Sequence, residues 1–462
     1  MKDMIRKVFI LPLCLFMAAA AAPANRAPLT EPDFSALEKV ILEEIKEKNT
    51  PGAAVVVISQ DRVVFSKGFG ISNVETGATV TTDMLFRLGS TTKMFTAAAL
   101  VALAEEGKID LNAPIGRYTK GLHPALAQLT AHQLLTHTSG ISDEAPMYGL
   151  HDDSALANEA RSWKEDRLFT EPGRIISYSN PGYWLAGFVT EEVSHKPYAD
   201  QLNDALFKPL GMNRTTLRPT VAMTYPLAQG HNISNGKPVV IRPMADNSAS
   251  WPAGSIFSSV ADLARFVTAF VNGGKLDGKQ VLAVSLIAKL SAPHVKIPGG
   301  DAHYGYGLMI REHRGVRIIQ HGGARSGYGS IIAMSPEHRF GVIALGNRSG
   351  VSLNRTVEKA MELMLPLKPE VREAEKDVPM SEAEMARYVG VYVQQPQRFE
   401  LFIKDGKLYG KQGGVEGVVK KIGEGRFSIA MPNGSQQFAL IAGADGKAEY
   451  LSISLRATKR QQ

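Results

Sequence analysis

The sequence predicts an α+β fold: one antiparallel sheet flanked by helices beside an all-helical lobe, followed by a small all-β domain. Three observations carry this prediction. Runs rich in β-forming residues lie at both ends of the first 365 residues, with helical patterns between them. Residues 366–380 have the Pro- and charge-rich composition of a linker. Beyond them, short strands alternate with Asp-Gly and Asn-Gly dipeptides, which is typical of hairpins in a compact barrel.

Periodicity and turn residues assign the elements of the first region in chain order. Gln-Asp-Arg separates two β-rich runs as a hairpin turn, Gly107 is placed to end a long apolar helix, and Ser259 has the spacing of an N-cap with Asp262. The predicted elements are a helix over residues 33–48, a hairpin over 53–59 and 63–70, a helix over 90–106, a turn-rich segment with short helices over 111–252, a helix over 262–271, strands over 307–311, 316–320, 329–334 and 340–345, and a helix over 353–365.

The first residues have the pattern of a secretory signal peptide. Three basic residues precede an apolar run over residues 8–22, and a small-x-small cleavage sequence follows. We therefore predict a cleaved signal over residues 1–24 and a periplasmic or secreted mature protein without a stable membrane anchor, since the apolar run is short for a span. Cys14, the single cysteine, lies inside this run, so the mature chain would have no disulfide and no thiolate metal site.

Composition narrows the possible partners. The chain has 462 residues, of which 44% are hydrophobic and 21% charged, as in ordinary globular proteins. The formal net charge of +7 is spread out, without a block of consecutive basic residues. This distribution argues against nucleic-acid binding. The histidines show no His-Glu-x-x-His pattern, so we predict no metal site and no cofactor.

The most informative stretch is Ser90-Thr-Thr-Lys93 at the head of the long apolar helix. Residues three apart on a helix share a face, so the Lys93 amine can reach the Ser90 hydroxyl. A serine needs an adjacent base to act as a nucleophile, and a helix N-terminus favours a developing negative charge. The pattern therefore indicates acyl transfer. A second Ser-x-x-Lys, from Ser234 to Lys237, contains Asn-Gly and is predicted to be a solvated turn.

Two further motifs have residues suited to the same chemistry. Tyr178-Ser-Asn180 is the only Tyr-x-Asn in the chain, and it precedes a helical pattern, so its side chains can project into a cleft. His321-Gly-Gly323 ends a β-rich run, and its glycines allow close approach of the backbone to a ligand. Taken singly, each motif also fits an ordinary structural role, such as a packed tyrosine beside a turn-forming asparagine.

The three motifs in this order resemble the serine penicillin-recognising family: class C β-lactamases, D-alanyl-D-alanine carboxypeptidases, D-aminopeptidases and related esterases. The resemblance covers roughly residues 33–365. It implies a β-lactamase/transpeptidase-like hydrolase domain over residues 25–365, with the site between the sheet and the helical lobe. The small domain over residues 381–462 resembles the lipocalin-like barrel that some members carry.

The resemblance also implies residue roles. Ser90 would be the nucleophile, and Lys93 and Tyr178 would share the proton transfers, with the first proton acceptor left open. The residues implied in substrate binding are Asn180, which would hold a substrate amide and position Lys93; His321 and Gly323, which would line a sheet edge; and Ala324, whose N–H would form the oxyanion hole with that of Ser90.

The function implied is a secreted serine hydrolase that forms an acyl-enzyme on amide or ester bonds of D-amino-acid peptides or related β-lactam-like substrates, including cell-wall-derived ones. A carboxylesterase of the same fold and a non-catalytic penicillin- or wall-binding protein are the alternatives. Many β-lactamases have lysine at the position of His321, and a neutral histidine weakens the case for antibiotic hydrolysis. Arg325 and Tyr328 could supply carboxylate recognition instead.

Overall fold

The main sheet is formed by strands that lie far apart in the sequence. The structure, a computed structural model, describes residues 33–371, 377–431 and 434–461, so the predicted signal peptide lies outside the described residues. The strands of the sheet region are β1 (Gly52–Ser59), β2 (Arg62–Asn73), β3 (Ala78–Thr79), β4 (Phe86–Arg87), β5 (His231–Ser234), β6 (Lys237–Val240), β7 (Phe257–Ser258), β8 (Lys275–Leu276), β9 (Lys279–Gln280), β10 (Val295–Lys296), β11 (His303–Tyr304), β12 (Met309–His313), β13 (Val316–Arg325), β14 (Tyr328–Ser335) and β15 (Phe340–Gly346).

In the described residues the sheet has nine strands in the order β10-β11-β12-β13-β14-β15-β1-β2-β3, and every neighbouring pair is antiparallel. Strand β1 is rich in β-branched residues and almost wholly buried, and it lies between β2 and β15. The predicted sheet, with strands from both ends of the first region, is therefore confirmed.

The helices cover both faces of this sheet and form the lobe beside it. They are α1 (Ser35–Glu47), α2 (Thr92–Glu105), α3 (Pro124–Ala127), α4 (Ala131–Leu135), α5 (Ala155–Ser162), α6 (Asn180–Ser194), α7 (Tyr198–Leu202), α8 (Lys208–Leu210), α9 (Pro219–Ala222), α10 (Trp251–Gly254), α11 (Val260–Val271), α12 (Val284–Leu290) and α13 (Asn354–Met364). A further short helix, α14 (Glu382–Ala386), packs instead with the C-terminal strands. None of the helices in the described ranges is long and apolar enough to cross a membrane.

Two hydrophobic clusters hold the sheet between these helices. On one face, α1 and α13 contribute Leu37, Ile41 and Met361 to a cluster with the odd-numbered side of β1. On the other face, α2 and α11 pack with the even-numbered side into a larger core that continues into the lobe. Helix α2 is apolar nearly all round and most of its residues are buried, as its sequence predicts.

Strand β13 is longer than predicted. The β-rich run ends at Gln320, yet the strand continues through the two glycines to Arg325. Pairing with β14 continues along this extension as far as Arg325 opposite Tyr328, whereas pairing with β12 stops at Gln320. Residues 321–325 therefore form an open strand edge in this part of the described chain.

The C-terminal barrel is confirmed. Eight strands close on themselves: β16 (Gly390–Gln394), β17 (Gln397–Lys404), β18 (Lys407–Gln412), β19 (Val415–Gly423), β20 (Arg426–Met431), β21 (Gly434–Ala442), β22 (Ala448–Ile453) and β23 (Arg456–Arg460). Asp405 and Gly406 have φ values of 51° and 71° between β17 and β18, the positive values that an Asp-Gly hairpin turn needs. The described residues from Phe34 onward form one compact unit, while the division into two domains at residues 365 and 381 stays a prediction.

Candidate active site

The Ser90 hydroxyl lies where a short 3-10 turn, Gly89–Thr91, leads directly into helix α2. Gly89 has φ 58°, and a Cβ there would lie 2.7 Å from the backbone nitrogen of Ala324. Only glycine fits both the positive φ and this close approach. The turn therefore brings the Ser90 backbone beside the open edge of β13.

The Lys93 side chain is fully buried on the first turn of α2. Its Nζ donates hydrogen bonds to Asn180 Oδ1 at 2.7 Å and to the carbonyl of Ala253 at 2.8 Å, and it lies 3.4 Å from Ser90 Oγ. Burial lowers the pKa of Lys93 well below its ordinary value, and the Asp143 charge opposes this shift. In its neutral form this amine would use its two N–H donors for Asn180 and Ala253 and would direct its lone pair at the Ser90 proton.

The Tyr178 ring lies against the Lys93 amine, with 4.7 Å between Nζ and the ring centroid. Burial raises the pKa of the Tyr178 phenol, and a hydrogen bond with the Ser90 side chain acts in the opposite direction. The phenol therefore holds its proton at neutral pH. Of the two groups proposed for proton transfer, only Lys93 has a pKa shifted toward the form that accepts a proton.

Asn180 is the first residue of α6, which confirms the predicted position of the Tyr-x-Asn motif at a helix start. The N-cap is Ser179, whose hydroxyl accepts the Gly182 N–H at 3.0 Å. Asp143 Oδ1 accepts both the backbone N–H and the Nδ2 of Asn180, at 2.8 and 2.9 Å. The amide is thereby oriented with Oδ1 toward Lys93. Asp143 was not among the site residues predicted from the sequence.

His321 lies at the open edge of strand β13 and lines the site beside Gly323, where the resemblance places it, but its ring is bonded within the protein. Its side chain is buried, Nδ1 donates to the carbonyl of Gly322 at 2.6 Å, and Nε2 accepts from the Tyr304 hydroxyl at 3.0 Å. Tyr304 in turn lies 3.2 Å from His137 Nε2. Burial, followed by the Lys93 charge, lowers the pKa of His321 to about 3. The ring is therefore neutral, and in this structure both nitrogens are bonded within the protein rather than offered to a substrate.

Gly323 packs against the Gly89–Thr91 turn that carries Ser90, and its Cα faces this turn rather than open space. A Cβ at this position would clash with the Leu88 carbonyl and would approach Ser330 Oγ to 2.4 Å and Thr91 Oγ1 to 2.8 Å. The glycine thus lets β13 and the Ser90 turn pack in direct contact. Ala324, one residue further, is exposed at the strand edge, as an oxyanion-hole residue needs to be.

We expect Gly323→Ala to lower the free energy of unfolding by about 1–3 kcal/mol, because the new methyl group forces Leu88 and the Ser90 turn apart. Turnover should fall as well, since the two backbone N–H groups move relative to each other. Gly322→Ala is the matched control: a Cβ there meets nothing closer than 3.8 Å. Urea unfolding of both variants checks the prediction, and equal losses of stability would contradict it.

These groups converge on one cavity of about 570 Å³ between the sheet, the lobe and the barrel. Its wall includes Ser90, Tyr178, Asn180 and the strand edge with Arg325. It also includes Arg456, at the start of barrel strand β23. The structure therefore brings all seven predicted site residues together, and it adds Asp143, His137, Tyr304 and Arg456, which were not among the predicted site residues.

Comparison with known proteins agrees with this fold and site. The Beta-lactamase family model matches residues 37–362, and the chain belongs to this family. The family is of the serine hydrolase type. Penicillin-binding protein 4 of Amycolatopsis lactamdurans is 28% identical over 333 residues, which cover 69% of this chain and 86% of that protein. Protein flp of Staphylococcus aureus (strain N315) is 24% identical over 337 residues, or 71% of this chain, and the match spans 66% of its length.

Among solved structures, the octameric penicillin-binding protein homologue from Pyrococcus abyssi superposes with a TM-score of 0.66 at 26% identity. The match covers 92% of this chain and 99% of that one. A match of this extent includes the barrel as well as the region that contains the three motifs.

Proposed function

We propose that this chain is an exported serine hydrolase that forms an acyl-enzyme at Ser90 on amide or ester bonds. The observation that carries the proposal is the convergence of Ser90, Tyr178 and Asn180 on one cavity wall beside an open strand edge. The buried Lys93 amine lies directly behind them, in contact with Ser90, Asn180 and the Tyr178 ring. A carboxylesterase would use the same groups, whereas a binding protein would have no need for a buried lysine with a lowered pKa next to a serine.

The proposed reaction has two stages. Lys93 takes the Ser90 proton as Oγ attacks the substrate carbonyl, and the N–H groups of Ser90 and Ala324 stabilise the oxyanion. When the tetrahedral intermediate collapses, the bond to the leaving group breaks, and the leaving group receives a proton from Tyr178, which is replenished from Lys93. Water then attacks the acyl-enzyme by the same proton transfers in reverse, which releases the acid and restores Ser90.

The open edge of β13 supports an extended, peptide-like substrate. Residues 321–325 have their pairing side toward β12 free in the described structure, next to the cavity. An extended acyl group could add to this edge as one more strand, held by main-chain hydrogen bonds. D-Amino-acid peptides and related β-lactam-like compounds are the substrates we propose, and the names of the penicillin-binding relatives support this choice.

Arg325 supports a substrate that carries a carboxylate. Its Nη2 donates to Ser250 Oγ at 3.2 Å, while its Nε is buried without a hydrogen-bond partner in the described residues. The nearby Asp246 is already bonded to Arg87 at 2.7 Å and to His151 at 3.1 Å. Burial and the Arg87 charge lower the pKa of Arg325 to about 9. The side chain is still charged at pH 7, and a bound anion would compensate this charge.

We expect Arg325→Gln to raise KM about tenfold for a p-nitrophenyl ester with a carboxylate on its acyl chain, because a charge-assisted hydrogen bond is lost. KM for the matched neutral ester should change less than twofold. Arg325→Lys keeps the charge, so its KM for the carboxylate ester should lie between the KM values of wild type and Arg325→Gln. Steady-state kinetics on the two esters checks this, and a similar rise of KM for both would contradict it.

A parallel assay tests the proposed function. The purified chain is given a chromogenic cephalosporin, a peptide ending in D-Ala-D-Ala and a p-nitrophenyl ester, and a fluorophosphonate probe reports a reactive serine. We expect labelling and turnover of at least one substrate; preference for the peptide supports a peptidase, and preference for the ester supports the carboxylesterase. A folded protein with neither labelling nor turnover would support the non-catalytic binder instead.

A further inference from the structure

The barrel contributes a side chain to the catalytic cavity. Strands β22 and β23 are joined by a two-residue turn of Ser454 and Leu455, and Arg456 follows at the start of β23. All three residues line the cavity that contains Ser90. The catalytic motifs lie in the part of the chain that matches the family, whereas this hairpin lies outside residues 37–362.

The hairpin is fixed to the segment that carries Tyr178. The carbonyl of Leu455 accepts the Tyr178 N–H at 2.7 Å, and the Ala457 N–H donates to Ser177 Oγ at 3.1 Å. Ala457 packs with Ile175 in one apolar cluster, and Leu455 packs against a second cluster that contains Tyr304. These contacts hold Arg456 in place on the cavity wall, so it is not a free surface side chain.

A chain of hydrogen bonds runs from Arg456 to the lysine. The guanidinium donates twice to Asp143 Oδ2, from Nε at 3.0 Å and from Nη2 at 2.7 Å. The other oxygen of Asp143 holds Asn180, and Asn180 Oδ1 accepts from Lys93. Each carboxylate oxygen therefore has its own partner, which fixes the rotation of the carboxylate.

We infer that Arg456 is a positioning residue of the catalytic site: it fixes Asp143, which orients Asn180 and through it the Lys93 amine, so that the barrel completes the machinery for acyl transfer. Arg456 itself does not touch the reacting atoms. Its guanidinium also lies over the Tyr178 ring, with 5.0 Å from Cζ to the ring centroid. The inference rests on the proposed function, because it assigns a role in the same reaction.

Charge gives the arginine a second influence. The positive charge of Arg456 lowers the pKa of Lys93, and the negative charge of Asp143 raises it. Removal of the Arg456 charge should therefore raise the pKa of Lys93, and removal of the Asp143 charge should lower it. The other groups that face Lys93 are unchanged in such variants: the rings of Tyr178 and Tyr183, the amide of Asn180, the carbonyl of Ala253, the neutral His137 and His321, and the more distant Arg325.

The experiment measures kcat and the pH dependence of kcat/KM on a small neutral ester for the full chain and its variants. Arg456→Gln should lower kcat about tenfold or more. It should also move the acidic limb of the profile, the pH range in which kcat/KM rises as Lys93 loses its proton, to higher pH, because Lys93 then holds its proton more tightly. Asp143→Asn should also lower kcat but move the limb to lower pH. Arg456→Lys keeps the charge without the paired donors, so its limb should stay in place while kcat falls.

The double variant separates this role from independent effects. If both residues act through Asn180, the loss of kcat in Arg456→Gln/Asp143→Asn should be smaller than the product of the single losses. Arg398→Gln, an exposed arginine on β17, is the matched control and should resemble wild type. Thermal unfolding identifies variants that do not fold, in which case Arg456→Lys alone carries the test.

Wild-type kcat and an unmoved acidic limb in folded Arg456→Gln would overturn the inference, and so would independent losses in the double variant. These results leave the proposed function intact, because wild type still turns over the ester. A wild-type chain without Ser90-dependent turnover is a failure of the proposed function itself.

Discussion

Replacing Ser90 with alanine is expected to abolish turnover while the protein stays folded. The hydroxyl is well placed to form the acyl bond: it lies 3.4 Å from the Lys93 amine and at the wall of the cavity. Loss of a catalytic nucleophile costs on the order of 10³-fold or more in kcat. Assays on the substrate that wild type turns over fastest measure the effect.

The structure predicts little change in stability for Ser90→Ala. Ser90 is partly exposed and makes few contacts that a methyl group would not keep. Ser234→Ala is the matched control, because this serine belongs to the second Ser-x-x-Lys, on the exposed β5–β6 hairpin. Wild-type turnover by the folded Ser90→Ala protein would show that another group carries the chemistry.

The second large effect is expected for Lys93→Met, which keeps the length of the side chain and removes the amine. Without the proton acceptor, kcat should fall by about 10²–10⁴-fold. The pH profile gives a sharper readout. In the proposed reaction Lys93 accepts a proton as the neutral amine, so wild-type kcat/KM should rise with pH through a pKa that lies well below the ordinary lysine value.

That acidic limb should disappear from the residual activity of Lys93→Met. Lys108→Met removes an exposed lysine just beyond the same helix and should leave the profile as it is in wild type. An acidic limb that persists unchanged in Lys93→Met would assign the titration to another group, and the lysine would then have a structural role.

Local geometry explains what could be predicted from the sequence. The spacing of Ser90 and Lys93 fixes their contact because a helical turn repeats every 3.6 residues, whatever surrounds it. The N-cap at Ser259 and the turn at Asp405-Gly406 depend on neighbouring residues in the same way, and the structure has both. Patterns of this kind also placed the sheet strands and the barrel.

Contacts between distant segments could not be predicted in this way. Asp143 and Arg456 are 313 residues apart, and neither lies in a periodic or motif-like stretch. The end of β13 was misplaced for a related reason: two glycines usually end a strand, but here they fit the close packing against the Ser90 turn. His321 lines the strand edge as expected, but its hydrogen bond with the buried Tyr304 could not be predicted, because Tyr304 lies on another strand.

The most direct test of the central claim, an acyl bond at Ser90, is mass spectrometry of the intact protein after exposure to a fluorophosphonate or a slowly released acylating substrate. We predict one added group per chain, located on the peptide that contains Ser90 and absent from Ser90→Ala. An adduct on a different residue, or turnover without any adduct under conditions that trap acyl-enzymes, would contradict the account.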